Sequence, residues 1–318
     1  MKQLKVFLVA AMVLLLSFGL IACSSDEEPK KEETKTEDKQ EAESAAFPVT
    51  ITDDSGEEVV IENAPERIVS VIPSGTEIVF ALGLGDKVVG VTENDNYPEE
   101  VLEIEKVGAF ELNIEKIVSL EPDLVIADVL NGEVVDQLRD QGLTVVVLGA
   151  STIDQTYEDI LLAGKATGTE GKAEEIVASM KEQQAEIEKT VSEIPEEERK
   201  TVWIEIGEEL FTAGSGTFLN ELVTLAGGEN TMADQEGWPQ VSEEEVIEKN
   251  PDVILLTYAS YVENAVDKVK ERETWQGVTA VKENQVYALQ SDLTERAGPR
   301  IIEGLQSVAE TLYPDYFK

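Results

Sequence analysis

The segment NIEKIVSLEPDLVI at residues 113–126 is matched by SEEEVIEKNPDVIL at residues 242–255. The copies begin at Asn113 and Ser242, residue types that cap helix N-termini, and each helical pattern ends before a Pro-Asp step and an apolar strand. A helix that leads into a buried strand, found twice, predicts two α/β units of similar build. Glu115 and Glu244 occupy equivalent first-turn positions, where a carboxylate favours the positive end of the helix dipole.

Apolar strand patterns alternate with helical patterns on both sides of the repeat. Alternation of this kind predicts mostly parallel sheets covered by helices on both faces. The stretch 47–61 is predicted to be a hairpin whose Asp-Asp-Ser-Gly turn lacks the sustained ligand spacing of a calcium loop. The predicted strands are residues 67–72, 88–91, 124–127, 145–148, 201–206, 253–257 and 286–289.

A helical stretch without Gly, Ser or Pro clusters separates the two units. Residues 170–192 are rich in Glu, Lys, Gln and Ala, and their apolar residues recur at near-helical spacing. We therefore predict an α/β protein of two Rossmann-like lobes, residues 47–168 and 196–318, joined by one long rigid α-helix within residues 169–195. A stiff connection favours a preformed cleft between the lobes over wide hinge closure.

The N-terminus has the pattern of a secreted lipoprotein. Lys2 and Lys5 precede a nearly continuous apolar run that ends at Cys23, which is similar to a bacterial lipoprotein signal with its lipid-bearing cysteine. Residues 1–22 are thus predicted to be a signal peptide and residues 23–46 an acidic disordered tether. An uncleaved membrane anchor and an ordinary signal peptide are the alternatives.

Composition removes several classes of function. The chain of 318 residues carries 66 Asp and Glu against 25 Lys and Arg, for a formal charge of -41, and it has no His. Such an acidic surface disfavours nucleic-acid binding. The usual general base and the commonest transition-metal ligand are both missing. A solvated acidic surface explains the charge without a cation-collecting role.

Two motifs carry a resemblance to a known family. The stretches GWPQVS at 237–242 and SDLTERAGPRII at 291–302 are similar to the cobalamin-binding subgroup of the class III substrate-binding proteins of ATP-driven importers, while ERIVS at 66–70 and PDLVI at 122–126 mark the wider family. The resemblance covers about residues 65–318. It implies that Glu115 and Glu244 dock onto arginines of an ABC permease, which works with its ATPase subunits.

The resemblance also implies a ligand site. Tyr97, Phe110, Phe211 and Trp238 fall where the subgroup has aromatic or apolar pocket residues, although the subgroup usually has Trp where this chain has Phe110. Core packing is the alternative for any of these aromatics. Arg296 matches a cleft arginine of the subgroup, or it is a surface partner of one of the many acids.

The expected ligand is a cobalamin or related corrinoid, with a ferric siderophore or haem as the alternative. Anionic siderophores and haem call for clustered cations, and the six arginines are scattered. We expect a monomeric, extracytoplasmic protein, anchored to the cell membrane through lipidated Cys23, without catalytic activity, cofactor or bound metal. An enzyme acting through paired carboxylates and a structural surface lipoprotein remain as other classes.

Overall fold

The computed structural model describes residues 47–318, so the predicted signal peptide, Cys23 and the tether lie outside the described residues. The described part opens with an antiparallel hairpin of β1 (Val49–Thr52) and β2 (Glu58–Ile61). The carboxylate of Asp53 accepts hydrogen bonds from the backbone and side chain of Ser55. The predicted turn is therefore confirmed.

The N-terminal lobe contains a four-stranded sheet in which every pair is parallel. Its strand order is β4-β3-β5-β6, so the chain reverses its direction of winding between the two central strands. These strands are β3 (Ile68–Ser70), β4 (Val88–Gly90), β5 (Leu124–Asp128) and β6 (Val145–Leu148).

Helices cover both faces of this sheet because its strands are apolar on both sides. Leu124 and Ile126 of β5 pack into one core, whereas Val125 and Ala127 pack into another on the opposite face. The helices of this lobe are α1 (Pro73–Ala81), α2 (Ile114–Ser119), α3 (Glu133–Asp140) and α4 (Ile153–Thr167).

The connecting helix α5 (Glu170–Ser192) confirms the predicted long helix. With 23 residues at about 1.5 Å of rise each, it is about 34 Å long. Helix α5 contacts α4 closely, since a Cβ placed on Gly164 would lie 2.5 Å from the Cβ of Ala173. The absence of a side chain at Gly164 thus permits the close crossing of the two helices.

The C-terminal lobe repeats the parallel design, with strand order β10-β9-β7-β8. Its strands are β7 (Thr201–Glu205), β8 (Glu229–Asn230), β9 (Val253–Leu256) and β10 (Val286–Ala288). Strand β8 has only two residues, one of them exposed, which is too short for a periodic apolar pattern. This explains why the sequence analysis missed it.

The repeated helix start is confirmed in both lobes. Asn113 accepts a hydrogen bond from the backbone of Lys116, and Ser242 accepts one from the backbone of Glu245. The helices of the C-terminal lobe are α6 (Phe218–Leu225), α7 (Glu243–Lys249), α8 (Ala265–Lys270), α9 (Thr279–Lys282), α10 (Ser291–Thr294) and α11 (Ile301–Leu312). Short 3-10 turns occupy residues 85–87, 99–103, 129–131, 196–198, 258–260 and 273–277.

One apolar core runs through both lobes. It joins Ile126 of the first sheet, Val177 and Ile187 of α5, and Val202 of the second sheet, together with Leu305 of α11. Two smaller cores lie on the far faces of the two sheets. The predicted two-lobed α/β fold is confirmed, and the exact lobe boundaries stay a prediction.

Among the described helices, none is long and apolar enough to cross a membrane.

Candidate functional site

A cleft lies between the lobes at the carboxyl ends of both parallel sheets. Its cavity of about 520 Å³ is within the size range of small-molecule sites. The strand order of the first sheet reverses at this same edge, which is where open parallel sheets usually bind ligands. The fold therefore places the loops that follow its strands at one shared site.

Loops that follow strands in both lobes line this cleft. From the N-terminal lobe come Ile72, Pro73, Ser74, Asn94, Asp128, Val129, Leu130, Gly149, Ala150 and Ser151. From the C-terminal lobe come Gly216, Thr217, Phe218, Trp238, Glu295, Arg296 and Ala297. Apolar surface with a few polar groups is typical of a small-molecule site.

Trp238 lines the cleft and is 53% exposed. It lies on a short antiparallel ribbon in which Phe211 is paired with Gln240. The backbone N–H of Thr212 donates to the carbonyl of Pro239, so Phe211 and Trp238 lie on adjacent segments of this ribbon. Phe211 is also exposed, but it does not line the main cavity.

Tyr97 and Phe110 lie on neighbouring loops of the other lobe. The backbone of Glu93, in the loop that carries Tyr97, donates a hydrogen bond to the carbonyl of Gly108. Phe110 is 96% exposed, and neither aromatic residue lines the main cavity. The structure thus brings Trp238 and Arg296 into the cavity, while the ligand-binding role of all five predicted residues stays a prediction.

Arg296 links the two lobes. Its Nη1 atom donates to Glu77 Oε1 at 2.9 Å and to Asn96 Oδ1 at 2.8 Å. Its Nη2 atom lies 2.7 Å from Asp292 Oδ1 and donates to the carbonyl of Asn94. The guanidinium is therefore already surrounded by acceptors, most of them from the opposite lobe.

Arg300 reinforces this connection. It donates to Glu77 through Nε at 2.8 Å and through Nη2 at 2.6 Å, which is the two-pronged geometry of a strong arginine-carboxylate pair. Its guanidinium also stacks on the ring of Tyr97, 3.8 Å from the centroid. Glu77 has a side chain only 2% exposed, and we call Glu77, Arg296 and Arg300 the interlobe latch.

A second polar contact joins the lobes at the start of α4. The Glu221 carboxylate on α6 accepts a hydrogen bond at 2.9 Å from the backbone N–H of Ile153. An acceptor from the other lobe thus satisfies a free donor at a helix N-terminus. This contact, the interlobe latch and the shared core therefore hold the two lobes together on either side of the cleft.

Two carboxylates face the cleft, one from each lobe. Burial raises the pKa of Asp128, and a hydrogen bond from the backbone of Leu130 opposes that shift. Partial burial likewise raises the pKa of Glu295, with a hydrogen bond from Thr257 opposing it. Both groups are held in surroundings that resist a negative charge.

The two repeated glutamates lie outside the cleft. Glu115 and Glu244 are both exposed in the first turns of α2 and α7, and neither belongs to an ion pair within residues 47–318. They are therefore available for contact with another molecule. Their docking role stays a prediction.

Sequence reasoning missed the interlobe latch. Glu77 was visible as a lone carboxylate among the apolar residues of the first predicted helix, and Arg300 closes the motif that carries Arg296. Their pairing joins residues more than 200 positions apart, so no local pattern could reveal it. Within residues 47–318, no group of three or more His, Cys, Asp or Glu side chains is arranged to hold a metal ion.

Comparisons with known proteins agree with this architecture. A family profile described as periplasmic binding protein matches residues 68–293, which include every strand of both parallel sheets. An uncharacterized ABC transporter substrate-binding lipoprotein of Bacillus subtilis is 41% identical over 317 residues, covering 97% of each chain.

Two solved structures are similar at the level of fold and sequence. A possible iron-binding periplasmic solute-binding protein from Staphylococcus epidermidis has a TM-score of 0.72 at 32% identity, covering 79% of this chain and 100% of that one. The periplasmic vitamin B12-binding protein of Vibrio cholerae has a TM-score of 0.69 at 30% identity, covering 79% and 98%.

Proposed function

The chain belongs to the periplasmic binding protein family, the substrate-binding components of ABC importers, and on that premise we propose that it captures cobalamin or a related corrinoid. The ligand enters the interlobe cleft and is delivered to a membrane permease powered by ATPase subunits. The family binds substrates for transport, and no catalytic step is needed for this role.

The observation that carries the proposal is the exposed indole of Trp238 in a cleft lined by both lobes. A corrin ring presents a broad face that buries well against an aromatic side chain. Its amide side chains need scattered hydrogen-bonding groups rather than clustered charge, and Ser74, Asn94 and Ser151 offer such groups at the cleft. Similarity to the vitamin B12-binding protein of Vibrio cholerae supports the same assignment.

A ferric siderophore or haem is the second candidate. Similarity to the possible iron-binding protein of Staphylococcus epidermidis supports it. The arginine at the cleft counts against an anionic iron complex because Arg296 already contacts acceptors of the protein itself. We therefore rank the corrinoid first.

Docking onto the permease would use the two exposed carboxylates. Glu115 and Glu244 occupy equivalent helix starts in the two lobes, which suits a partner with two matching basic sockets. Arginine-carboxylate pairs at such a rim would orient the complex more than they would strengthen it. We also propose that the protein acts as a monomer outside the cytoplasmic membrane, anchored through lipidated Cys23.

Ligand capture is tested by tryptophan fluorescence. Cyanocobalamin should quench the emission of the purified full chain, and Trp238→Ala should weaken binding by about tenfold or more because a stacked aromatic contact is lost. Tyr316→Ala is the matched control, because this substitution also removes an aromatic ring, but from a pocket at the opposite end of the second sheet. Equal affinity in the Trp238 variant and the wild type would contradict this assignment.

Docking is tested by transport. The double variant Glu115→Ala and Glu244→Ala should retain ligand affinity while uptake in cells falls by about tenfold or more, since two charge-assisted contacts with the permease are removed. The double variant Glu111→Ala and Glu248→Ala serves as control. Both acids are exposed, and Glu111 lies just before α2 while Glu248 lies within α7. Unchanged uptake in the first double variant would rule out docking through these groups.

A further inference from the structure

We propose that the cleft selects its ligand by charge and that Glu295 is the specificity-determining residue that favours neutral and positively charged ligands over anions. This inference rests on the proposed function and narrows its ligand class. In the cleft, the arginine is paired with carboxylates of the protein, whereas two carboxylates that line the cavity have no cationic partner within residues 47–318.

The positive charge of the cleft is already neutralised. Among the described residues that line the cavity, Arg296 is the one cation, and both of its terminal nitrogens contact acceptors. Its two carboxylate partners are Glu77 and Asp292. An anionic ligand would have to compete with these carboxylates for Arg296 and would leave the buried Glu77 with Arg300 as its remaining partner within residues 47–318.

The remaining electrostatic features attract positive charge. Asp128 approaches the cavity from the first lobe and Glu295 from the second. The exposed face of Trp238 adds the negative side of its ring quadrupole, which also attracts cations. Three independent groups on two lobes therefore favour the same sign of ligand charge.

Glu295 is better placed than Asp128 to contact a ligand. Asp128 caps the turn that follows β5, with its Oδ1 atom accepting the backbone N–H of Leu130 at 2.8 Å. Glu295 accepts a hydrogen bond from Thr257, but its side chain caps no turn and belongs to no ion pair within residues 47–318. Although its carboxyl group is partly buried, the residue as a whole is exposed at the cavity. Removing the charge of Glu295 should thus change the preference of the cleft for ligand charge. The same change at Asp128 would also disturb the turn that Asp128 caps.

A matched pair of corrinoids measures this selectivity. Aquacobalamin carries one more positive charge than cyanocobalamin, because water replaces cyanide on the cobalt. The chain has no histidine to displace that water. At low ionic strength the full chain should bind aquacobalamin roughly fivefold tighter than cyanocobalamin, and salt should reduce the difference.

Three variants assign the effect to Glu295. Glu295→Gln should bring the ratio of the two affinities close to one, and Glu295→Asp should retain most of the preference because it keeps the charge. Glu303→Gln is the control, since it removes an equal charge from an exposed position in the same lobe, on α11. An unchanged ratio in Glu295→Gln, with circular dichroism showing a folded protein, would overturn the inference.

A second series separates this inference from the corrinoid proposal. If neither corrinoid binds, the proposed ligand is wrong, and cationic, neutral and anionic ferric hydroxamate and catecholate complexes are titrated instead. Tighter binding of the cationic complex, lost in Glu295→Gln, would support charge selection alone. Equal or tighter binding of the anionic complex, or binding of none, would overturn it.

Discussion

Glu77 and Glu205 are both nearly completely buried glutamates that arginine neutralises, yet one lies between the lobes and the other lies inside one of them. Glu205, at the end of β7, pairs with both terminal nitrogens of Arg272 at 2.7 and 2.8 Å. It also accepts hydrogen bonds from Tyr258 and Trp203. Every group in that cluster belongs to the C-terminal lobe.

The difference concerns what each ion pair can control. The cluster around Glu205 connects the end of a strand to the loops of its own lobe, so its loss should act on folding. Glu77 instead holds two arginines of the opposite lobe, and one of them, Arg296, lines the cleft. The same chemistry should therefore stabilise one lobe in the first case and set the charge and width of the ligand site in the second.

The strongest effect is expected from Glu205→Ala. The variant should lose about 3–5 kcal/mol of unfolding free energy, because Arg272 would be left largely buried without its counter-charge. Urea unfolding followed by circular dichroism measures the loss. Glu208→Ala, an exposed neighbour paired with Lys268, is the control and should change stability by about 0.5 kcal/mol or less. A similarly small loss of unfolding free energy in Glu205→Ala would contradict the claim that the buried pair of Glu205 and Arg272 stabilises the C-terminal lobe.

A smaller change in stability, with a change in ligand preference, is expected from Glu77→Gln. The amide retains the volume but not the charge, so unfolding free energy should fall by about 1–3 kcal/mol. Arg296, which lines the cleft, would lose one of its two carboxylate partners, and binding of an anionic ferric catecholate complex should improve by roughly tenfold. Titration of that complex into both proteins checks this prediction, and unaltered affinity for the anion would contradict it.

Asp159 is a third buried carboxyl, and it forms no ion pair with an arginine within residues 47–318. Burial raises the pKa of Asp159 to about 8, and its hydrogen bond with the Asp54 carboxyl contributes to the shift. The ordinary value, which applies to the unfolded chain, is about 4. Between these two values the folded state retains a proton that the unfolded state has released, so stability should fall as the pH rises from about 4 to about 8.

Asp159→Asn should remove this pH dependence. The amide mimics the protonated acid and can still accept the backbone N–H groups of Gly149 and Ala150. Relative to the wild type, the variant should gain about 1 kcal/mol for each pH unit across that interval. Thermal unfolding at several pH values measures the slope, and parallel slopes in the two proteins would disprove the assignment.

Much of the fold was predictable because its signals are local. The helix and strand around Pro122 and Pro251 follow from capping residues and apolar runs within fourteen-residue segments, and α5 follows from its composition. These predictions were confirmed. Local patterns fix an element because capping, helical spacing and strand alternation act over a few residues.

The site was less predictable because its contacts join distant parts of the chain. The resemblance indicated Trp238 and Arg296, and both line the cavity. It could not show that Arg296 is bound to Glu77, since no sequence pattern records which of 66 acids meets a given arginine. The charge of the cleft depends on that pairing, so it could be described only after the lobes were assembled.

The continuous apolar core has a consequence for how the molecule comes apart. Because α5 contributes side chains to a core shared by both sheets, neither half can lose its packing without exposing apolar surface of the other. We therefore expect a single cooperative thermal transition for residues 47–318 instead of two separate ones. Neither lobe should then fold when it is expressed alone. Insertions should be tolerated in surface loops but not within α5, whose side chains belong to the shared core.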